Sequence, residues 1–425
     1  MKIKHIKARE ILDSRGNPTI ETEMILEDGS VGIASVPSGA IVSRFEVLEL
    51  RDQDPDRFNG LGVLKAVEKI NNFIAPKLIG LDAAYQAKID ELLYELDGSD
   101  NLKNLGGNTV LSVSQANLEA SAASYRMPIY AYLQVKYQLG NKESGLPAPI
   151  FNIINGGKHG AGNLNFQEFL IIPTVRKAYH EALECGQEIY KSLEKALIYR
   201  GAIHSTGVEG GFAPNLFTNT DALEIMSQAI EDTKYQLTRD VFLGLDVAAD
   251  FFYKNGRYLI KDRAEPFSSD DFIEYYIKLN KEYSVFSLED PFYQDDWKSW
   301  KRLTEMIGEN TMIVGDDLLC TNKERLSKAI SQKACTAALI KPNQRGTITK
   351  TLEVIQLAKK SNLKTIISHR SGETNDDFMA DFAYGVGADY IKFGAPSRGE
   401  RVVKYNRLLK IEDEISQQPN TGLNK

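Results

Sequence analysis

VFLGLD, residues 241–246, is a short apolar run that ends on one polar residue, and the same arrangement recurs five times downstream. YSVFSL runs into Glu289, TMIVG into Asp316, TAALI into Lys341, KTIIS into His369 and DYI into Lys392. Runs this short, rich in Val, Ile, Leu and Thr and without helical periodicity, predict buried strands. Amphipathic patterns between them predict helices over 268–283, 295–307, 322–334, 347–361 and 373–385. Strands alternating with helices make βα units of a parallel sheet. The polar residues follow one another at intervals of 43, 27, 25, 28 and 23, about one βα unit each after the first. An open sheet would spread six strand-end side chains too widely to meet, whereas a barrel gathers them at one mouth. The pattern therefore predicts a (β/α)8 TIM-type barrel.

Outside this stretch the chain changes character. Residues 3–37 alternate apolar and polar (TIETEMI, then VGIASV) around a Glu27-Asp28-Gly29-Ser30 turn, which predicts an antiparallel meander. Helical patterns follow over 61–78, 84–96, 108–125 and 128–139, giving a smaller α+β domain. The polar, Gly- and Pro-marked segment 141–149 is a connector, so we expect one domain over 1–138 and the barrel over 139–425. Past the connector, PIFNII (149–154) is a predicted strand and 177–199 a long helix, and the polar tail from 416 is a frayed end.

Composition narrows the function class. With 425 residues, 42% hydrophobic, 26% charged and a net charge of −7, the chain lacks the basic surplus of a protein that binds nucleic acid by bulk electrostatics. No run reaches membrane-span length, and MKIKHIKARE lacks a signal-peptide core. Cys185, Cys320 and Cys335 are scattered, without metal-ligand spacing, so a reducing cytoplasm is the expected compartment.

Asp246, Glu289 and Asp316 make an all-oxygen set suited to Mg²⁺, which takes a few carboxylates and keeps places for water and substrate. A lone acid at a strand end often caps the next helix; three on consecutive strands point to a metal. Lys341 follows the next strand, where burial and a nearby cation would lower its pKa and make it a base. Glu168 and Glu209, the latter beside Gly210-Gly211, are candidates for the opposite proton transfer. His369-Arg370-Ser371 concentrates donors suited to phosphate or carboxylate, and Lys392 can neutralise a second anionic group. The substrate class is thus a small, multiply anionic molecule bridged to the metal. His159 lies on a glycine-rich loop able to close as a lid.

The chain resembles the enolase family from end to end. ILDSRGNPT (11–19), FNIINGGKH (151–159), QEF (167–169), EGGFAPN (209–215), LDVAA (245–249) and LEDPF (288–292) carry the likeness. So do VGDDL (314–318), IKPNQRGT (340–347), SHRSGET (368–374), GAPSRGER (394–401) and KYNRLLKIE (404–412), in the family's order and spacing. The resemblance implies a modified barrel whose first strands are partly antiparallel, beneath a capping N-terminal domain, in a homodimer or higher homo-oligomer. It implies reversible dehydration of 2-phosphoglycerate to phosphoenolpyruvate, with Asp246, Glu289 and Asp316 on a first, conformational Mg²⁺ and a second, catalytic ion arriving with substrate. Lys341 matches the base at C2, and Glu209, supported by Glu168, matches the acid at the C3 hydroxyl. Arg370 and Ser371 match phosphate contacts and Lys392 a carboxylate contact, with His159, Gln167 and His369 completing the pocket. Ser38 matches a ligand of the second ion.

The chain departs from the family at 38–45, where S-G-A-S-T-G is replaced by Ser-Gly-Ala-Ile-Val-Ser followed by Arg44-Phe45. β-Branched Ile41 and Val42 stiffen this segment, and Ser43 removes a glycine hinge. Val208 and Gln294 each replace a usual acid. Alternative readings are therefore a paralogue acting on a related phosphorylated or phosphonate acid, motivated by the changes over 41–45 (an Arg44 entering the pocket would imply an extra anionic group on its substrate), and a non-catalytic binder that uses Lys425 at a cell surface. A racemase or lyase of the wider superfamily is disfavoured by SHRSGET.

Overall fold

The structure, a computed structural model, describes residues 1–39, 43–140, 145–160 and 162–417. Ile41, Val42, most of the 141–149 connector's polar part and Lys425 lie outside the described residues. The alternating N-terminal stretch forms β1 (Ile3–Leu12), β2 (Pro18–Leu26) and β3 (Val31–Ser35), an antiparallel sheet in that order. The expected helix over 61–78 is present but uneven. α1 (Leu64–Glu68) passes through a π-helical turn, Lys69–Ile74, into α2 (Ala75–Leu78). Pro76 has no N–H to continue the i→i−4 ladder, and the widened turn absorbs that gap. α3 (Gln86–Asp97), α4 (Gly107–Ser124) and α5 (Ile129–Tyr137) complete this part, with α4 almost wholly buried against the sheet.

Eight strands then close a barrel in the order β4-β5-β6-β9-β10-β11-β12-β13. They are β4 (Ala148–Asn155), β5 (Glu168–Pro173), β6 (Val241–Asp246), β9 (Val285–Glu289), β10 (Met312–Gly315), β11 (Ala337–Ile340), β12 (Lys364–Ser368) and β13 (Tyr390–Lys392). A small hairpin, β7 (Tyr253–Lys254) and β8 (Arg257–Tyr258), fills the interval of 43 residues noted in the sequence. β5 runs antiparallel to both β4 and β6, and every other adjacent pair is parallel.

The small hairpin and the helix over Gly399–Ser416 escaped the sequence reading, as did two elements that bear more directly on the barrel. EFLIIP is buried on both faces and carries no polar terminus at its C-terminal end, so β5 lacks the signature of its neighbours. The second is α7 (Asn219–Glu231), which follows α6 (Tyr179–Tyr199) as part of the crossover from β5 to β6. The remaining helices are α8 (Ser269–Tyr283), α9 (Trp297–Ile307), α10 (Lys323–Gln332), α11 (Ile348–Lys360), α12 (Phe378–Gly385) and α13 (Gly399–Ser416). Ser268, Asp296 and Asn322 cap α8, α9 and α10 through their side chains. The helices after Asp246, Glu289 and Asp316 thus have other caps, which removes capping as the reason for those acids.

Ile150, Leu170, Ile172, Val314, Leu339 and Ile366 pack inside the barrel, and a larger core lies between strands and helices. At Gly186 of α6, an added Cβ would stand 2.3 Å from the ring of fully buried Phe151 on β4. We expect Gly186→Ala to cost about 1–3 kcal/mol by overpacking, read as a lower urea midpoint with an unchanged slope.

Candidate active site

Register sets the height of each polar side chain at the mouth. Asn155 of β4 is level with Glu168, Glu168 with Asp246, and Asp246 with Glu289; on the other flank of β4, Ser368 is level with Lys392. Because β5 is reversed, its first residue, Glu168, arrives where the parallel strands place their last. Glu168 and Gln167 therefore join a ring otherwise built from C-terminal strand ends. β5 and β11 stand four places apart in a ring of eight, so Glu168 and Lys341 face one another across it.

The mouth holds a polar cavity, and of the residues expected there all line it except Glu289 and Ser38. Lys392 is buried at the side of this cavity. Its Nζ lies 2.9 Å from Glu168 Oε2, 3.2 Å from Asp246 Oδ2 and 2.8 Å from Glu289 Oε2. Asp316 is engaged separately: its Oδ2 accepts from Lys341 Nζ at 2.5 Å. The three acids expected to share an ion are thus divided between two ammonium groups. Among the described residues, Asp316 clusters more closely with Asp290 and Asp317, whose ligand atoms lie within 4.8 Å of one another.

The expectation for Lys341 rested on a nearby cation; facing Asp316 alone, its amine is pulled down by burial, but the charge of Asp316 outweighs that and holds the lysine above its ordinary value. Glu289 shows the converse: burial first, then the charge of Asp246, pushes its carboxyl well up. Glu289 Oε1 is also buried without a hydrogen-bond partner. An all-oxygen set with an orphaned, strained carboxylate suits a hard divalent cation. Asp246, Glu289 and Asp316 are the residues that would hold it.

On the opposite wall His159 Nδ1 lies 3.2 Å from Glu168 Oε1 and 3.5 Å from Glu209 Oε1. Gly210, at φ +89°, turns the chain so that Glu209 enters the cavity, where Asn152 Nδ2 donates to its Oε2 at 3.1 Å. Burial and the charge of Glu209 push Glu168 up. Burial acts on Glu209 in the same sense, but His159 and His369 overcome it and hold that carboxyl well down. Burial alone would lower His159, yet Glu209 and Glu168 hold it up. The two carboxyls are thus pushed in opposite directions and titrate as a coupled pair.

At the rim, Arg370 Nη1 donates to Glu46 Oε2 at 3.0 Å and Asn343 Oδ1 at 3.1 Å. Ser38 is engaged within the N-terminal domain. Its hydroxyl donates to Asp13 Oδ2 at 2.6 Å and accepts from Arg15 Nη2 at 3.1 Å, fastening the N-terminal domain beside Gly372. Arg44 does not enter the cavity; its guanidinium pairs with Asp295 and lies over Phe45, with the side chain 59% exposed. Gln294 binds Asp250 through its Nε2 at 2.6 Å, so an amide does locally what an acid could not beside that carboxylate.

Residues 143–422 match the family described as enolase, C-terminal TIM barrel domain, and residues 3–133 match enolase, N-terminal domain. The chain belongs to the enolase family. It is accordingly a lyase of the enolase superfamily, whose members use Mg²⁺. Glu46, Asn152, Asp317, Phe251 and Arg401 are parts of this enolase's site that sequence reading passed over. Asn152, Asp317 and Arg401 stood in quoted strings (FNIINGGKH, VGDDL and GAPSRGER) without being given a role, and Glu46 stood beside a segment already singled out.

Removing the ammonium of Lys392 would leave three buried carboxylates facing one another. We expect Lys392→Met to lose about 3–5 kcal/mol in urea titrations without divalent cation. Added Mg²⁺ should recover more stability in this variant than in the parent protein. If Mg²⁺ stabilises neither protein, these acids are not its site.

Proposed function

We propose that this enolase dehydrates 2-phosphoglycerate reversibly to phosphoenolpyruvate. The observation that carries the reading is the pairing of opposite walls: an amine on β11 faces a carboxyl pair on β5 and the Glu209 turn. That arrangement suits removal of a proton and a hydroxyl from opposite faces of one small molecule.

Lys341 takes the C2 proton, and it becomes a base to the extent that Asp316 is drawn away from its ammonium. The charges of Arg370 and Lys392 press in the same direction. A proton beside a carboxylate is barely acidic, so the doubly charged intermediate needs concentrated positive charge. Mg²⁺ on Asp246, Glu289 and Asp316 would supply it, as the enolase superfamily is the standard case of such a base working beside Mg²⁺. Glu168 and Glu209 deliver their shared proton to the departing C3 hydroxyl, with His159 keeping the charge of the pair in balance. Arg370 and Ser371 receive the phosphate, and Lys392 the carboxylate. A second ion arriving with substrate, cytoplasmic glycolysis and a homodimer belong to the same reading. Exposed Leu12, Val31 and Ile33 on the N-terminal sheet support assembly. Among the described residues no helix is long and apolar enough to cross a membrane.

The paralogue reading drew on the changes over 41–45, and an Arg44 inside the pocket would have favoured a substrate with an extra anionic group. Arg44 is turned onto Asp295, which removes that one support. Two variants separate the steps. Lys341→Met should lose both exchange of the C2 proton with deuterated solvent and formation of phosphoenolpyruvate. Glu209→Gln should keep the exchange and lose product formation, each loss being about 10²–10⁴-fold. Background-level, Mg²⁺-independent absorbance with the parent enzyme would overturn the reading.

A further inference from the structure

Arg401 stands in the first turn of α13, fully buried, and no role in proton transfer was read for it in the sequence. Its Nη1 lies 2.6 Å from His369 Nδ1 and donates to Arg370 O at 2.7 Å. Its Nη2 donates to Ser371 O at 2.8 Å and to Val208 O at 3.2 Å. One guanidinium thus ties the end of β12 to the turn that carries Glu209. The other ring nitrogen of His369, Nε2, lies 3.3 Å from Glu209 Oε2.

The chemistry of these groups leaves one arrangement. A guanidinium has N–H donors and no acceptor, whereas a neutral imidazole has one nitrogen of each kind. Facing Arg401, Nδ1 must offer its lone pair, and the ring proton must sit on Nε2, where it points at Glu209. An imidazolium would set an Nδ1–H against a cation at contact distance. The charged groups around the ring are Glu209, Arg401 and Glu373, and burial leads the effects that push His369 down to about 4. The two imidazoles touching Glu209 are therefore unlike: His159 is held up by its carboxylates and His369 stays neutral.

We propose that Arg401 is a positioning residue that locks His369 as the Nε2–H tautomer, so that Glu209 always receives a hydrogen bond from this side and never a proton. The consequence for catalysis rests on the dehydration reading above; the tautomer itself does not. Glu209 keeps its charge on the His369 side and exchanges protons only with Glu168 and His159, which face the cavity.

The test is nitrogen NMR of the full-length protein labelled at histidine. The chain has 5 histidines, and loss of a signal in His369→Gln assigns the resonance of interest. We expect one protonated nitrogen, Nε2, and one bare nitrogen, Nδ1, unchanged between about pH 5.5 and 8.5, roughly one unit below and two above an ordinary histidine pKa. An Nδ1–H tautomer, an averaged mixture or an imidazolium in that range would overturn the proposal. Arg401→Gln, which can turn an acceptor toward the ring, should mix the tautomers and lower kcat for 2-phosphoglycerate about 10–100-fold with KM little changed. Arg401→Lys, still donor-only, should keep the tautomer and most of kcat. A preserved tautomer with normal kcat in Arg401→Gln would also overturn it. If Arg401→Gln does not fold, the spectrum of the parent protein still decides. If 2-phosphoglycerate proves not to be the substrate, the tautomer result stands apart from that failure.

Discussion

A single ammonium group organises the mouth of this barrel. Lys392 ends β13 and is buried among carboxylates from β5, β6 and β9, all within 3.2 Å of its Nζ. Charges this far from water persist only when paired, because the desolvation of each ion costs several kcal/mol. Three acids on neighbouring strands would repel one another without a cation between them, and burial first, then the charge of Asp246, raises the Glu289 carboxyl. The arrangement is therefore tensed toward positive charge, which is what a site for a divalent ion and an anionic substrate requires.

Around that centre the walls differ in kind. One side presents Lys341 with Asp316, and the other presents Glu168 and Glu209 with two histidines. The reversed direction of β5 makes this possible, since it delivers a side chain to the mouth from the start of a strand. The N-terminal domain supplies the rim. Ser38 is fastened to Asp13, and Glu46 reaches Arg370, so the smaller domain is part of the site and not only its cover. The altered residues after position 42 form their own contacts: the guanidinium groups of Arg44 and Arg325 each lie over the Phe45 ring, and Asp295 pairs with both.

Much of this was legible beforehand, because periodicity and strand-end chemistry are local. Six of the eight barrel strands announce themselves by ending on a polar residue, and PIFNII reads as a seventh from its apolar content. β5 does not, since its polar residue comes first and nothing in EFLIIP distinguishes it from a stretch of buried helix. The charge facing the Lys341 amine was hidden for a related reason. Burial can be inferred from an apolar run, whereas a carboxylate at 2.5 Å comes from a residue 25 positions away.

The order of residues along this chain determined the barrel, its smaller partner domain and the inventory of acids, amines and imidazoles, because backbone period and side-chain type act over a few neighbours. Only the tertiary structure decided which charge meets which. Ser38 went to Asp13, Arg44 to Asp295, Asp316 to Lys341 and Arg401 to His369. These pairings join residues 25 to 251 positions apart. Electrostatic and hydrogen-bond energies depend on ångström distances between such residues, and those exist only once the ring of strands has closed.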